Sequence, residues 1–213
     1  MDTTVDAYAR FAQMNAVLDI ARFPILPGGN HEAAIQGMRI FAKRYDDELA
    51  ANHPGKGVSG YFHITIDPDV DSGRRTIDGE QISFREFLGV RLRRVGHGLP
   101  VHVFPRWFSR SSSGLGGLAY ALLDPPYGLQ HPGSVGKPRS PGYADREKIL
   151  RAFCAEVLAI DDLQRVSHLR IHRWETNWSS YFRAGLEWWG AFFWTVEDVK
   201  NGWVTVIGAA TTD

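Results

Sequence analysis

The stretch LEWWGAFFWTV, residues 186–196, sets the tightest limit on what this chain can fold into. With the two-residue period of a strand, Trp188, Phe192, Trp194 and Val196 share one face. Trp189, Ala191, Phe193 and Thr195 share the other. A strand that is apolar on both faces belongs in the middle of a sheet, with cover on each side. Each buried aromatic withdraws roughly 150–250 Å² from water, so such a strand can hold a core together. VEDVKNG follows it, with Asn201-Gly202 as a turn signal, and WVTVIGAA then returns as the partner strand. The expectation is a Trp-rich C-terminal hairpin at the centre of a mainly antiparallel sheet.

The remaining elements are arranged around that hairpin. In TTVDAYARFAQMNAVLDIAR, Val5, Tyr8, Ala12, Ala16 and Ile20 recur at helical spacing behind a Thr3/Asp6 capping pair. Pro24 and the PGG at 27–29 end that helix. Asn30 is then placed to cap a second helix with the stripe Ala34, Met38, Phe41, Tyr45 and Leu49, stopped by NHPGKG. Alternation in GYFHITID, VRLRRV and LPVHVF predicts short strands, and SFREFL predicts one helical turn capped by Ser83 and Glu86. A third helix is predicted from Asp145 to Ile160, on Ile149, Phe153, Val157 and Ile160 with Leu150, Cys154 and Leu158 beside them. LQRVSHLRIHRW reads as a further strand. The fold class is therefore α+β: two N-terminal helices, a mainly antiparallel sheet and a third helix packed on it, expected as one domain over 1–213.

Residues 105–142 hold six of the eleven prolines and lack a clear period, the mark of a long functional loop. GLAYALLDPPYGL within it is apolar enough to dock on the core. Lys+Arg and Asp+Glu balance at 24 each, so no global field draws in nucleic acid or an anionic membrane, although a local contact with nucleic acid is not excluded. The polar start MDTTVDAYAR, the lack of an eighteen-residue apolar run and a single cysteine, Cys154, lead us to expect a soluble cytoplasmic protein.

Three short motifs bear on chemistry. FHITI resembles one of the paired motifs of the 2H phosphoesterases, which act on RNA ends or cyclic phosphates. On a strand His63 and Thr65 point the same way, so an imidazole can move a proton while a hydroxyl holds a phosphate oxygen. The resemblance implies a second histidine. VHVF offers His102 and SHLRIH offers His168 and His172, none with a matching hydroxyl. Eight arginines against three carboxylates between residues 74 and 110 make the surroundings locally basic. ALLDPPYGL resembles the Asp-Pro-Pro-Tyr of the amino-methyltransferases of DNA and RNA, but no strand leading into a Gly-rich turn and helix accompanies it. DPDVDSG, with Asp67, Asp69 and Asp71, is similar to the opening of an EF-hand calcium loop. Its glycine, Gly73, comes one place late, and an acidic turn accounts for it better.

The alternation of Leu169 and Ile171 places His168, Arg170, His172 and Trp174 on one strand face, with Trp178 in polar text just beyond. Two histidines flanking an arginine suit an anion or a partner surface better than a metal, and exposed tryptophans serve as interface anchors. No metal or cofactor signature is present, and no complete catalytic set. We therefore expect a binding protein engaging an unknown protein or a small anionic ligand through His168, Arg170, His172, Trp174 and Trp178, together with the 105–142 loop. The alternative is a phosphate-directed enzyme using His63, Thr65 and a second histidine such as His102.

Overall fold

The structure, a computed structural model, describes residues 11, 14, 16–53, 63–89, 91–93, 101–103, 117–126, 128–129, 143–162, 166–186 and 189–210. The fold is α+β. Five strands form an antiparallel sheet in the order β1–β7–β6–β5–β2: β1 (Asp19–Pro24), β2 (Gly79–Ile82), β5 (Leu169–Trp174), β6 (Ala191–Asp198) and β7 (Trp203–Ala210). β3 (Arg91–Arg93) and β4 (Val101–Val103) make a separate antiparallel ribbon. The helices are α1 (Gly29–Asn52), α2 (Pro68–Asp71), α3 (Phe84–Leu88), α4 (Leu118–Leu123), α5 (Tyr143–Leu158) and α6 (Arg183–Leu186), the last entered through a 3₁₀ turn, Ser180–Phe182.

β6 is the central strand, and its alternation serves two apolar layers. Phe192, Trp194 and Val196 face a layer built with α3, α4 and α5, where Phe192 stacks on Trp194 at 5.5 Å and Phe87 meets Trp194 edge-on. Phe193 faces the opposite layer, under α1, and is met edge-on by Phe41, Trp178 and Phe182. Such aromatic contacts add about 0.5–1.5 kcal/mol each beyond the area they bury. The strand begins later than the sequence suggests. Gly190 has φ +132°, a value side-chain-bearing residues rarely adopt, and its N–H donates to the Gly185 carbonyl at the end of α6. That turn breaks the alternation, so Trp189 joins the Phe192 layer instead of Phe193's. Trp188 lies outside the described residues. The β6–β7 loop is closed by Asp198, whose carboxylate accepts from the N–H groups of Lys200 and Asn201 and from the Asn201 amide.

The expected end of the first helix is corrected. Phe11 is helical and residues 1–10 lie outside the described residues, but 19–24 form β1, paired along its length with β7. Ile20 faces one apolar layer and Ala21 the other, a period of two that the helical spacing concealed. The second helix is present as α1 with Ala34, Met38 and Phe41 buried, while Tyr45 is exposed. Gly28, not Asn30, is its N-cap, and the Gly28 N–H is taken by Glu32 Oε2 at 2.8 Å, which leaves the Asn30 side chain free for other use.

Residues 63–67, the described part of GYFHITID, do not join the sheet. They lie extended beside 178–180 with one bridge, Ile66 to Ser179, and Thr65 exchanges hydrogen bonds with Ser180. Pro68, which has no N–H to offer a ladder, then opens α2. The Ser83/Glu86 capping box on α3 is present with both bonds. α4 is buried throughout, as the apolar text inside the 105–142 loop requires, and α5 turns Leu150, Phe153, Cys154 and Val157 inward. Among the described residues, no helix is long and apolar enough to cross a membrane.

Candidate functional site

α1 covers β1, β7 and β6 but leaves part of the same sheet face open over β5 and β2. There a pocket of about 550 Å³ forms. Its floor follows from strand register: Gly79 and Gln81 of β2 lie opposite Trp174 and His172 of β5, and Arg170 lies opposite Glu197 of β6. Asn30 and His31, in the first turn of α1, and Ile77 form the wall. The predicted alternation thus brings Arg170, His172 and Trp174 together on one face.

Three rings line the pocket. His172 stacks on Trp174 at 5.7 Å and 24°, and His31 meets the same indole edge-on at 6.0 Å. Trp174 is held by its Nε1–H, which donates to Thr195 Oγ1 at 3.1 Å, and by Gly79 beneath it, where a Cβ would come within 2.4 Å of the ring. The Ile77 N–H donates to His31 Nε2, so the neutral His31 ring carries its proton on Nδ1.

The polar groups are less settled. Glu197 is 5% exposed, and among the described residues its carboxylate meets the Asn30 amide at 3.4 Å and Arg170 Nη1 at 3.6 Å. Burial pushes the His172 imidazole below its usual range, and the nearby Glu197 charge opposes that only in part. His172 Nδ1 and Asn30 Oδ1 are buried and find no partner among the described residues. A second groove of about 350 Å³ shares Gly79 and Trp174 and is lined by Asp78, Glu80, Arg173 and Glu175.

The other expected site residues are placed differently. His168 leaves the row and turns toward Asp198 Oδ1, 3.8 Å away. Trp178 is 1% exposed and Trp174 7%, so neither is the exposed platform its polar neighbours suggested; both fill the layer under α1. Polar text misled here because Glu175 and Asn177 turn to Arg75 while the indoles turn inward. The expected anion surface is also altered, since Arg170 is matched by Glu197 and His172 is held toward neutrality.

His63 and Thr65 are exposed and do not line this pocket; His63 Nδ1 lies 2.9 Å from Asp46 Oδ1 of α1. His102 sits on β4 opposite Leu92, and its side chain lies outside the described residues. Asp67 N-caps α2 and pairs with Arg75, Asp69 pairs with Arg74, and Asp71 with Arg39. The carboxylates of the calcium-like motif are thus each held by a different guanidinium. Among the described residues, no group of three or more His, Cys, Asp or Glu is arranged to hold a metal ion. Asp124 ends α4 and its carbonyl accepts from Trp189 Nε1, and the antiparallel sheet has none of the parallel order a methyltransferase needs.

Sequence reasoning missed Asn30, His31, Gln81 and Glu197. A signal existed for Glu197 alone: a carboxylate in step with the buried positions of a strand apolar on both faces. Comparison with protein-family models, with curated proteins and with solved structures finds no match for this chain.

Proposed function

We propose that the protein is a binding module without catalysis, which takes a ligand or a partner's side chain into the pocket of Arg170, His172 and Trp174. One observation carries this reading: a pocket of small-molecule size has a three-ring wall, and two of its buried polar atoms are unpartnered. Among the described residues, its lining includes no Ser, Thr, Cys, Lys or Tyr. The test is a thermal-shift screen of small polar and aromatic compounds, repeated on Arg170→Ala and His172→Ala. Compounds that stabilise the native protein should lose their effect in His172→Ala and show a changed effect in Arg170→Ala, where a cation loses a competitor for Glu197 and an anion loses its partner, with unfolding of the free variants little changed. Hits that survive both substitutions would place binding elsewhere.

A second reading, a phosphate-directed enzyme at His63 and Thr65, draws support from the Asp46–His63 pair. A carboxylate on one ring nitrogen fixes the tautomer and leaves the other nitrogen as the acceptor. Hydrolysis of 2′,3′-cyclic nucleotides by the native chain, abolished in His63→Ala at unchanged stability, supports it; absence of turnover removes it.

A further inference from the structure

We infer that the pocket selects a planar cation carrying paired N–H donors, a guanidinium or an amidinium. This rests on the binding reading above and names its ligand class.

Three independent features lead there. The first is hydrogen-bonding polarity. Asn30 Nδ2 donates toward Glu197 Oε2, and turning the amide over would set Oδ1 against that carboxylate. The Asn30 atom left without a partner among the described residues is therefore an acceptor, beside a buried carboxylate whose contacts there are two long ones. Both groups call for donors. A ligand bearing N–H groups at fixed spacing satisfies them together, as a guanidinium does for a carboxylate.

The second is charge. The charged groups of the pocket itself are Glu197 and Arg170, and of the two it is the carboxylate that is buried, with 7% of its side chain exposed against 63% for the guanidinium. An anion would meet Glu197, which already sits by the first turn of α1, where a helix's positive end attracts negative charge.

The third is shape. The stacked rings of His172 and Trp174, the latter backed by Gly79 and 7% exposed, give the pocket a flat wall that suits a planar group. Arg170 shows how the carboxylate is kept while the pocket is open. Its guanidinium belongs to a side chain that is 63% exposed and stands 3.6 Å from Glu197, too far to satisfy it and free to swing away.

Guanidinium ligands come from two sources, small free compounds and arginine side chains of polypeptides, and the test separates them. Chemical shifts of the Trp174 indole N–H and the His172 ring are followed in labelled full-length protein. The probes are agmatine, the blocked tripeptide acetyl-Gly-Arg-Gly-amide, its Lys counterpart, and inorganic phosphate. Saturable shifts with agmatine or the Arg tripeptide, weaker by fivefold or more for the Lys tripeptide and by tenfold or more in Glu197→Gln, support the inference. Asn30→Ala carries the same comparison should Glu197→Gln not fold. Tighter binding of the Arg tripeptide than of agmatine assigns the site to a polypeptide partner, and the reverse order to a small compound. Shifts with phosphate and none with either guanidinium overturn the inference while leaving a working pocket. No shift with any probe also overturns it, and the screen with Arg170→Ala and His172→Ala then decides separately whether the pocket binds at all.

Discussion

Gly37 of α1 lies so close to Val206 of β7 that a Cβ on it would come within 2.5 Å of Val206 Cγ1. The helix is seated flush on the sheet at that point, which fixes how far its first turn overhangs β5 and so the width of the pocket. Gly37→Ala should destabilise the protein by about 1–3 kcal/mol through overpacking, read by urea unfolding. Val206→Ala in the same chain should recover part of that loss. A neutral Gly37→Ala would mean that α1 is not seated there.

The two outlying tryptophans differ in kind. Trp178 is enclosed by Phe182 and Phe193, so Trp178→Ala should cost about 3–5 kcal/mol. Trp203 is exposed at the start of β7 with Arg22 over its ring, and Trp203→Ala should cost about 1 kcal/mol or less. Thermal unfolding of both variants checks the order; equal losses would contradict the burial.

Asp19 makes stability depend on pH. Burial lifts its carboxyl from 3.8 to about 6, against the hydrogen bond from Tyr181 and the attraction of Arg44. In the fold this group keeps a proton at pH values where the unfolded chain has lost it. Its contribution to stability therefore falls as pH rises from about 4 through 6, and the full cost stands above that. Two units correspond to on the order of 2–3 kcal/mol. Asp19→Asn still accepts from Tyr181 and gives up the attraction to Arg44. It should exceed the native protein in stability at pH 8, with the difference gone by pH 4. Parallel stability curves for the two proteins would refute this.

Cys154 is fully buried on α5, and burial pushes its thiol up to about 12. A thiol with so little thiolate at pH 8 should not react with a disulfide reagent in the native state and should react fully in urea. The labelling rate in dilute urea should follow unfolding. Rapid native labelling would show that α5 opens on its own.

Much of the architecture was legible because the chain states it locally. The two-faced run at 191–196 announced a central strand, and Ser83 with Glu86 announced the capped turn of α3. β1 was not legible: DIARFP, six residues with two charges, becomes a strand because β7 offers it a ladder. The shift of Trp189 to the other layer depends on one backbone angle at Gly190. The pocket was half legible. Arg170, His172 and Trp174 follow from alternation, whereas Asn30, His31 and Glu197 arrive through helix placement and register, relations between residues up to 167 positions apart. The pairing of His63 with Asp46 is of the same non-local kind.

Every position of β6 after Ala191 is buried, and the strand's two faces belong to different layers. A surface strand has a wet side on which mutations accumulate without effect. β6 has none, so any replacement within it is felt by one layer or the other. Silent drift in this chain is confined to places such as the outer face of α1 and the β6–β7 loop, and Glu197 stands where almost nothing else can change around it.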